Sequence, residues 1–223
     1  MRKHLAAVIF LVTSLVALQA AASVVTSIPG GTVIPMPALD YFGGGPQTFG
    51  TTNVVTWSST NDGISCCQGG SVFGYTGTYG FGSNGSWTGA LGPMAGVNDA
   101  NVFYGVSDTM TFTFANPVAA VGGFLNYYPD GITTPTTIAV YDVNGILIES
   151  FDLTFVTDGS DDSGAFYGFL ESSAIIKSFT LTDNYLAIAN LTVGTATPEP
   201  SSLLLIGTGL LGAVGYGRKR LGL

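Results

Sequence analysis

Polar and apolar residues alternate along several short stretches in the middle of the chain. Residues 107–114 read Ser-Asp-Thr-Met-Thr-Phe-Thr-Phe, which places the methionine and both phenylalanines on one face of a strand. Residues 136–143 alternate in the same way, and Asn144-Gly145 follows them directly. Both residues of that pair accept positive φ, so a hairpin into residues 146–151 is predicted. Further strands are predicted at residues 118–124, 175–182 and 185–193.

The segment from residue 74 to residue 92 is rich in glycine and aromatic residues. One interpretation is a set of surface loops that carry aromatic rings for ligand contact. The other is a series of short strands and turns whose rings fill the core, and it is favoured because aromatic side chains dominate β cores. The many short strands, with Gly, Pro and Asn turns between them, predict an all-β fold, an antiparallel β-sandwich.

The hydropathy pattern changes at the N-terminus. Arg2 and Lys3 precede an apolar run over residues 5–18, and a stretch of small residues ends at Ala22. This order is typical of a secretory signal peptide, with cleavage after Ala22. We therefore expect residues 1–22 to form a removable signal helix and the following domain to be exported.

The C-terminus carries three successive features: the triplet Pro198, Glu199 and Pro200, an apolar run over residues 203–216, and the basic cluster Arg218, Lys219 and Arg220. The run predicts a short hydrophobic helix over residues 203–217. As a helix this run is about 21 Å long, which is shorter than the helix of roughly 20 residues that spans a membrane comfortably. A permanent anchor and a transient, removable anchor both fit this length, and the transient anchor is favoured. The basic cluster should stay cytoplasmic, which places the domain outside the membrane.

This three-part tail resembles the PEP-CTERM sorting signal of bacterial surface proteins. The resemblance implies a partner, an exosortase-type membrane protease that processes the tail near the Pro-Glu-Pro triplet. It also implies a precursor anchored in the inner membrane and a final location at the cell surface or in the extracellular matrix of a biofilm. Residues 108–194 look like the jelly-roll domains common in such proteins, which are similar to galactose-binding and carbohydrate-binding-module folds.

Removing the two ends leaves an extracytoplasmic domain over residues 23–196, followed by the sorting segment at residues 197–223. The domain holds 13 acidic residues and one basic residue, Lys177, and it contains no histidine. A formal charge of −12 repels phosphate backbones, which excludes nucleic acid as a partner. Histidine-based triads and His-ligated zinc sites cannot be built. No carboxylate pair is singled out by its spacing, so we expect no enzymatic activity.

Four residues are candidate oxygen ligands for Ca²⁺, the one cofactor predicted. Asp158, Ser160 and Asp162 have the i, i+2, i+4 spacing with which loops wrap calcium, and Asp40 is a second candidate. A solvated acidic hairpin loop explains the first three equally simply and is favoured. The glycine falls one place late for an EF-hand, and no glutamate stands at the twelfth position.

The adjacent cysteines Cys66 and Cys67 allow three states. A vicinal disulfide is sterically strained but accessible in an exported protein. An intermolecular disulfide and a pair of free thiols are the alternatives, and the sequence leaves all three open.

Two functions are compatible with these features. The first is a structural or interaction protein of the cell surface or exopolysaccharide matrix, with extracellular polysaccharide as a partner. The alternative is a carbohydrate-binding module that stacks sugars on exposed aromatic rings. The candidate rings are those of Trp57, Tyr75, Tyr79 and Trp87.

Overall fold

The computed structural model describes residues 23–63, 70–98, 107–129 and 135–195. The signal peptide, the Cys66–Cys67 pair and the tail lie outside these ranges, as do the two predicted terminal helices. Within the described ranges, no helix combines the length and the apolar character needed to cross a membrane.

The described residues form an all-β structure of two antiparallel sheets packed as a sandwich, which confirms the predicted fold class. The strands are β1 (Ser23–Val25), β2 (Thr32–Val33), β3 (Tyr41–Phe42), β4 (Gln47–Phe49), β5 (Val55–Ser59), β6 (Gly70–Tyr75), β7 (Tyr79–Gly80), β8 (Ser86–Trp87), β9 (Met94–Asn98), β10 (Asp108–Val118), β11 (Ala120–Tyr127), β12 (Thr137–Tyr141), β13 (Leu147–Asp152), β14 (Ala165–Leu170), β15 (Ile176–Asp183) and β16 (Tyr185–Gly194).

The larger sheet has the order β1-β14-β11-β16-β9-β6-β3, and β2 also pairs with β16. The smaller sheet has the order β13-β12-β15-β10-β5-β4. Strands β7 and β8 form a separate hairpin, and a single 3₁₀ turn (Gly82–Asn84) lies between them. Consecutive strands β10–β11 and β15–β16 cross from one sheet to the other, so the two layers are joined at both ends.

The main core lies between the two sheets and follows the alternation of β10. Met110, Phe112 and Phe114 are buried, whereas the threonines between them are only partly buried. Phe112 lies opposite Phe179 of β15 and Trp57 of β5 in the two flanking strands. The period of two in the sequence therefore produces one continuous apolar face, as predicted.

A second apolar cluster covers the outer face of the larger sheet. The aromatic hairpin, residues 79–87, packs Tyr79, Phe81 and Trp87 against that face. The face contributes Val72 and Met94, both buried. Because the hairpin shields this surface from water, the central strands β6, β9, β11 and β16 of the larger sheet are buried on both sides. The aromatic rings of the glycine- and aromatic-rich segment therefore belong to the core, which is the interpretation favoured by the sequence.

The two ends of the sandwich are distinct. The base is the end at which β1 begins and β16 ends; there Ser23 pairs with Leu170, Leu170 with Ala120, and Ala120 with Gly194. The top is the opposite end, where β10 begins and β15 ends. The residues that follow the predicted signal peptide and those that precede the predicted tail thus lie at the same end.

Gly74 provides a test of the β6 geometry. Its φ is +63°, and an added Cβ would collide with the carbonyl oxygen of Pro37. The Gly74 carbonyl also accepts N–H groups of Leu39 and Asp40. We expect Gly74→Ala to lower the free energy of unfolding by at least about 1 kcal/mol, the cost of a left-handed non-glycine residue. Denaturant unfolding measures this loss.

Gly80→Ala is the matched control, because nothing lies within 4 Å of an added Cβ at that position. An equal effect of the two substitutions on the free energy of unfolding would contradict the left-handed backbone conformation assigned to Gly74.

Candidate functional site

Three of the four predicted stacking rings are buried. Trp57 is 0% exposed, Trp87 1% and Tyr79 4%. The prediction that these rings are exposed is wrong, because the strand alternation and the aromatic hairpin turn them into the two cores. Tyr75 is half-buried, and its ring meets Phe42 and Tyr79 edge-on. None of the three buried rings offers a free face to a sugar.

Trp87 anchors the aromatic hairpin. Its indole N–H donates to the carbonyl oxygen of Ser163 at 2.6 Å, and its ring stacks on Phe124 with centroids 5.9 Å apart. Phe81 meets the same indole edge-on at 5.1 Å. The residue therefore links the hairpin both to the larger sheet and to the loop that contains Ser163. Its role is structural.

That loop is the acidic loop, residues 158–164, which contains three of the predicted calcium ligands. Asp158 accepts hydrogen bonds from the backbone N–H and the hydroxyl of Ser160, at 3.0 and 2.6 Å. Asp162 accepts the N–H and the hydroxyl of Thr88, at 2.8 and 2.7 Å. Asp158 and Ser160 therefore hydrogen-bond to each other, whereas Asp162 hydrogen-bonds to Thr88 outside the loop.

The acidic loop is docked on the aromatic hairpin and is not freely solvated. Asp161 accepts the hydroxyl of Ser86 at 2.7 Å, and the Ser163 carbonyl also accepts Asn126. Asn84, fully buried beneath the loop, donates to Tyr127 O and accepts the N–H of Thr157. The carboxylates of the loop thus stabilise the contact between two segments more than 70 residues apart in the chain.

Asp40, the other candidate ligand, also has partners within the chain. It takes a φ of +46° and accepts both the N–H and the hydroxyl of Thr76, at 2.7 and 3.0 Å. Among the described residues, no group of three or more His, Cys, Asp or Glu side chains comes together as a metal cluster. Calcium binding by Asp40, Asp158, Ser160 and Asp162 stays a prediction.

Two buried aspartates at the top were not identified from the sequence. Asp108 and Asp183 are directly opposite each other on β10 and β15, and they are 9% and 4% exposed. Asp108 accepts hydrogen bonds from Thr60 and from the amide of Asn61. Asp183 accepts the hydroxyl of Thr136. The alternation that places Met110 in the core also points Asp108 inward, so the pattern contained this signal.

Burial dominates the electrostatics of Asp183. It raises the pKa of Asp183 to about 6, despite hydrogen bonds from Thr136, Asn184 and Tyr185 that favour the charged form. Burial, and then the nearby Asp183 charge, raise the pKa of Tyr127. The side-chain oxygen of Asn184, itself buried, has no hydrogen-bond partner in the described part of the chain. The top of the core is therefore polar and incompletely satisfied.

A second pair of acidic side chains lies toward the base: Glu171 follows Leu170 at the end of β14, and Glu149 lies opposite Val140 of β12. Burial raises the pKa of Glu149, and burial followed by the Glu149 charge raises that of Glu171. Each has one buried carboxyl oxygen without a hydrogen-bond partner among the described residues. Burial therefore disfavours the charged form of both glutamates, as it does for Asp183.

A match to a known sorting motif identifies the C-terminal tail. The PEP-CTERM protein-sorting motif matches residues 196–220, immediately after β16 ends at Gly194. The chain carries a PEP-CTERM sorting signal. The match contains the Pro198-Glu199-Pro200 triplet and the basic cluster predicted from the sequence. A PEP-CTERM tail indicates an exported protein that is sorted by an exosortase and anchored in the membrane before processing.

Two solved structures are similar to this PEP-CTERM protein at low identity. One is the structure of CBM51-2 in complex with GlcNAc and INT domains from Clostridium perfringens ZmpB, with 10% identity and a TM-score of 0.35. The alignment covers 65% of this chain and 38% of that one. The other is the family 11 carbohydrate-binding module of Lic26A-Cel5E from Clostridium thermocellum, at 12% identity, TM-score 0.17, and coverages of 73% and 96%. No curated protein matches the chain.

The raised pKa of Asp183 gives a pH dependence. The folded sandwich keeps the Asp183 proton up to a pH of about 6, whereas the unfolded chain loses it near 3.8. The free energy of unfolding should therefore fall as pH rises between these values, by about 3 kcal/mol. Asp183→Asn should remove that slope. Urea unfolding at pH 4.5, 5.5 and 7 measures it.

Asp152→Asn, which removes an exposed carboxylate from β13, is the control for the pH experiment. If the slope were the same in the Asp183→Asn protein as in the wild type, the assignment to Asp183 would be wrong.

Trp87 gives a second prediction. Because its indole fills the outer core and donates to Ser163, Trp87→Ala should lower the free energy of unfolding by about 3 to 5 kcal/mol. Trp87→Phe keeps a ring there and should lose much less. Thermal unfolding of both variants measures the difference. A Trp87→Ala domain as stable as the wild type would show that the ring is not a core element.

Proposed function

We propose that this protein is a non-catalytic structural or interaction module of the bacterial cell surface or exopolysaccharide matrix. The observation that carries the proposal is the PEP-CTERM motif at residues 196–220, which begins two residues after the last strand. On this proposal the chain divides into a signal peptide at residues 1–22, a sandwich at 23–196 and a sorting segment at 197–223. The sorting segment brings the sandwich to an exosortase-type protease.

The internal use of polar side chains supports a structural role over specific sugar binding. Aspartates of the acidic loop, with Asp40, bind donors of their own chain, and three of the four candidate rings are buried. A sugar-binding module needs exposed rings and convergent polar groups around a pocket. The alternative, a carbohydrate-binding module, would have to rely on Tyr75 alone among those rings.

The excess of carboxylates suggests how the module interacts with the matrix. Thirteen acidic residues against one lysine repel other copies of the domain and other acidic polymers at low divalent-ion concentration. Calcium ions can bridge such carboxylates to acidic groups of a polysaccharide, because Ca²⁺ prefers oxygen ligands. On this proposal the polysaccharide contact depends on surface charge and not on a shaped pocket.

The sorting role is tested by replacing Pro198, Glu199 and Pro200 together with alanine in the native host. We expect the variant to accumulate in the inner-membrane fraction, whereas the wild type reaches the surface or matrix, because the protease loses its recognition sequence. Cell fractionation with immunodetection measures the distribution.

Thr197→Ala, next to the triplet, is the control and should behave as the wild type. The proposal fails if the triple variant is distributed between fractions as the wild type is.

A further inference from the structure

The base of the sandwich collects most of the exposed large hydrophobic side chains. Eight such side chains are exposed among the described residues, and all but Leu39 and Val156 lie at the base. The six at the base are Val33, Val54, Val143, Ile146, Leu147 and Ile175. They belong to separate turns and strand ends, so the sandwich topology brings them to one end.

Strand pairing fixes where these side chains lie. Val33 pairs with Thr192, near the end of β16, and Val54 accepts the N–H of Ala115 near the end of β10. The hairpin between β12 and β13 extends beyond the pair Tyr141–Ser178 toward the same end. Ile175 directly precedes β15, whose first residue lies opposite Val118. All of these positions are at the base and none is at the top.

Both membrane-directed segments join the domain at this same end. The row Ser23–Leu170–Ala120–Gly194 crosses four neighbouring strands at the base. Three strand spacings separate its ends, or about 14 Å. A precursor held by either segment must therefore turn its base, and not its top, toward the bilayer.

The tether between the sandwich and the apolar tail is short. Seven residues separate Thr195 from Leu203, where the apolar run begins. Fully extended, they reach at most about 25 Å. The base consequently lies within about 25 Å of the membrane surface whenever the apolar run is inserted.

The distribution of charge favours the same orientation. Asp62, Asp108 and Asp183 lie at the top, and the three aspartates of the acidic loop lie beside the end of β11. At the base lie Glu171, directly after Leu170, Glu149 on β13, and Asp142, whose carboxylate accepts the N–H groups of Asn144 and Ile146. Lys177, the one basic residue of the domain, donates to Ala115 on the base half of β10. An anionic membrane surface therefore repels the top more strongly than the base.

We infer that the base is a membrane-contact surface, which seats the apolar tips of its turns in the interfacial region of a phospholipid bilayer. The inference rests on the membrane-anchored stage that the PEP-CTERM tail implies. Scattered apolar side chains on adjacent turns bind a bilayer by burying area at the boundary between headgroups and acyl chains. The contact holds the sorting segment beside the membrane, where a membrane protease can reach it.

Two valines of nearly equal exposure allow a matched test. Val143 is 63% exposed in the β12–β13 hairpin at the base, and Val156 is 70% exposed near the top, next to Phe155, whose carbonyl accepts the Tyr127 hydroxyl. Val143→Trp and Val156→Trp are introduced separately into the full chain. Each protein is reconstituted into phosphatidylcholine vesicles whose acyl chains carry bromine, a short-range quencher of tryptophan fluorescence. The unsubstituted chain gives the background of Trp57 and Trp87.

We expect the added emission of Val143→Trp to be blue-shifted by the apolar bilayer and reduced by bromine, and that of Val156→Trp to show neither change. Equal emission with and without bromine at both positions overturns the inference, because the base then stands clear of the lipid. Equal quenching at both positions also overturns it, because the sandwich then has no preferred end.

Flotation of the same vesicles separates this failure from failure of the tail. If the chain floats with the lipid and Val143→Trp is not quenched, the anchor is correct and the membrane-contact surface is wrong. If the chain does not float, the membrane-anchored stage is wrong, and the inference falls with it.

Discussion

The fold depends on burying apolar side chains between two sheets in a domain that has almost no cations. Thirteen carboxylates share one lysine, so ion pairs contribute little to stability. At the surface, Asp142 and Asp158 accept N–H and O–H groups of their own chain, and these hydrogen bonds lower their pKa. Where such donors are outweighed by burial, as at Asp183, the pKa rises. Hydrogen bonds thus favour the charged form of carboxylates at the surface, whereas burial disfavours it in the core.

This constraint also explains how the outer face of the larger sheet is covered. The aromatic hairpin supplies the apolar cover, and the acidic loop fixes it through Asp161 and Asp162, which bind Ser86 and Thr88. Carboxylates that suggest a calcium loop in the sequence therefore serve as hydrogen-bond acceptors between two segments. Aromatic rings that the sequence offers for stacking on sugars, such as that of Trp87, instead form the buried core beneath these contacts.

Local patterns predicted local structure well. The alternation of β10 and the hairpin after β12 lie where the sequence placed them, although the turn puts only Gly145 at positive φ, and Asp142 closes it with its side chain. Contacts between distant segments could not be predicted from the sequence. The bond from Thr88 to Asp162 joins residues 74 apart, and the pairing of Asp108 with Asp183 depends on which strands become neighbours. A period of two gives the face of a side chain but not its partner.

The sorting segment follows directly on the last core strand, so the sandwich is the part of the chain that the tail exports. The most direct test of this account is the intact mass of the protein recovered from the surface or matrix of its native cells. The account predicts a species that lacks residues 1–22 and the residues beyond about Pro200. A protein found only in the inner membrane, with residues 203–223 still attached, would contradict it.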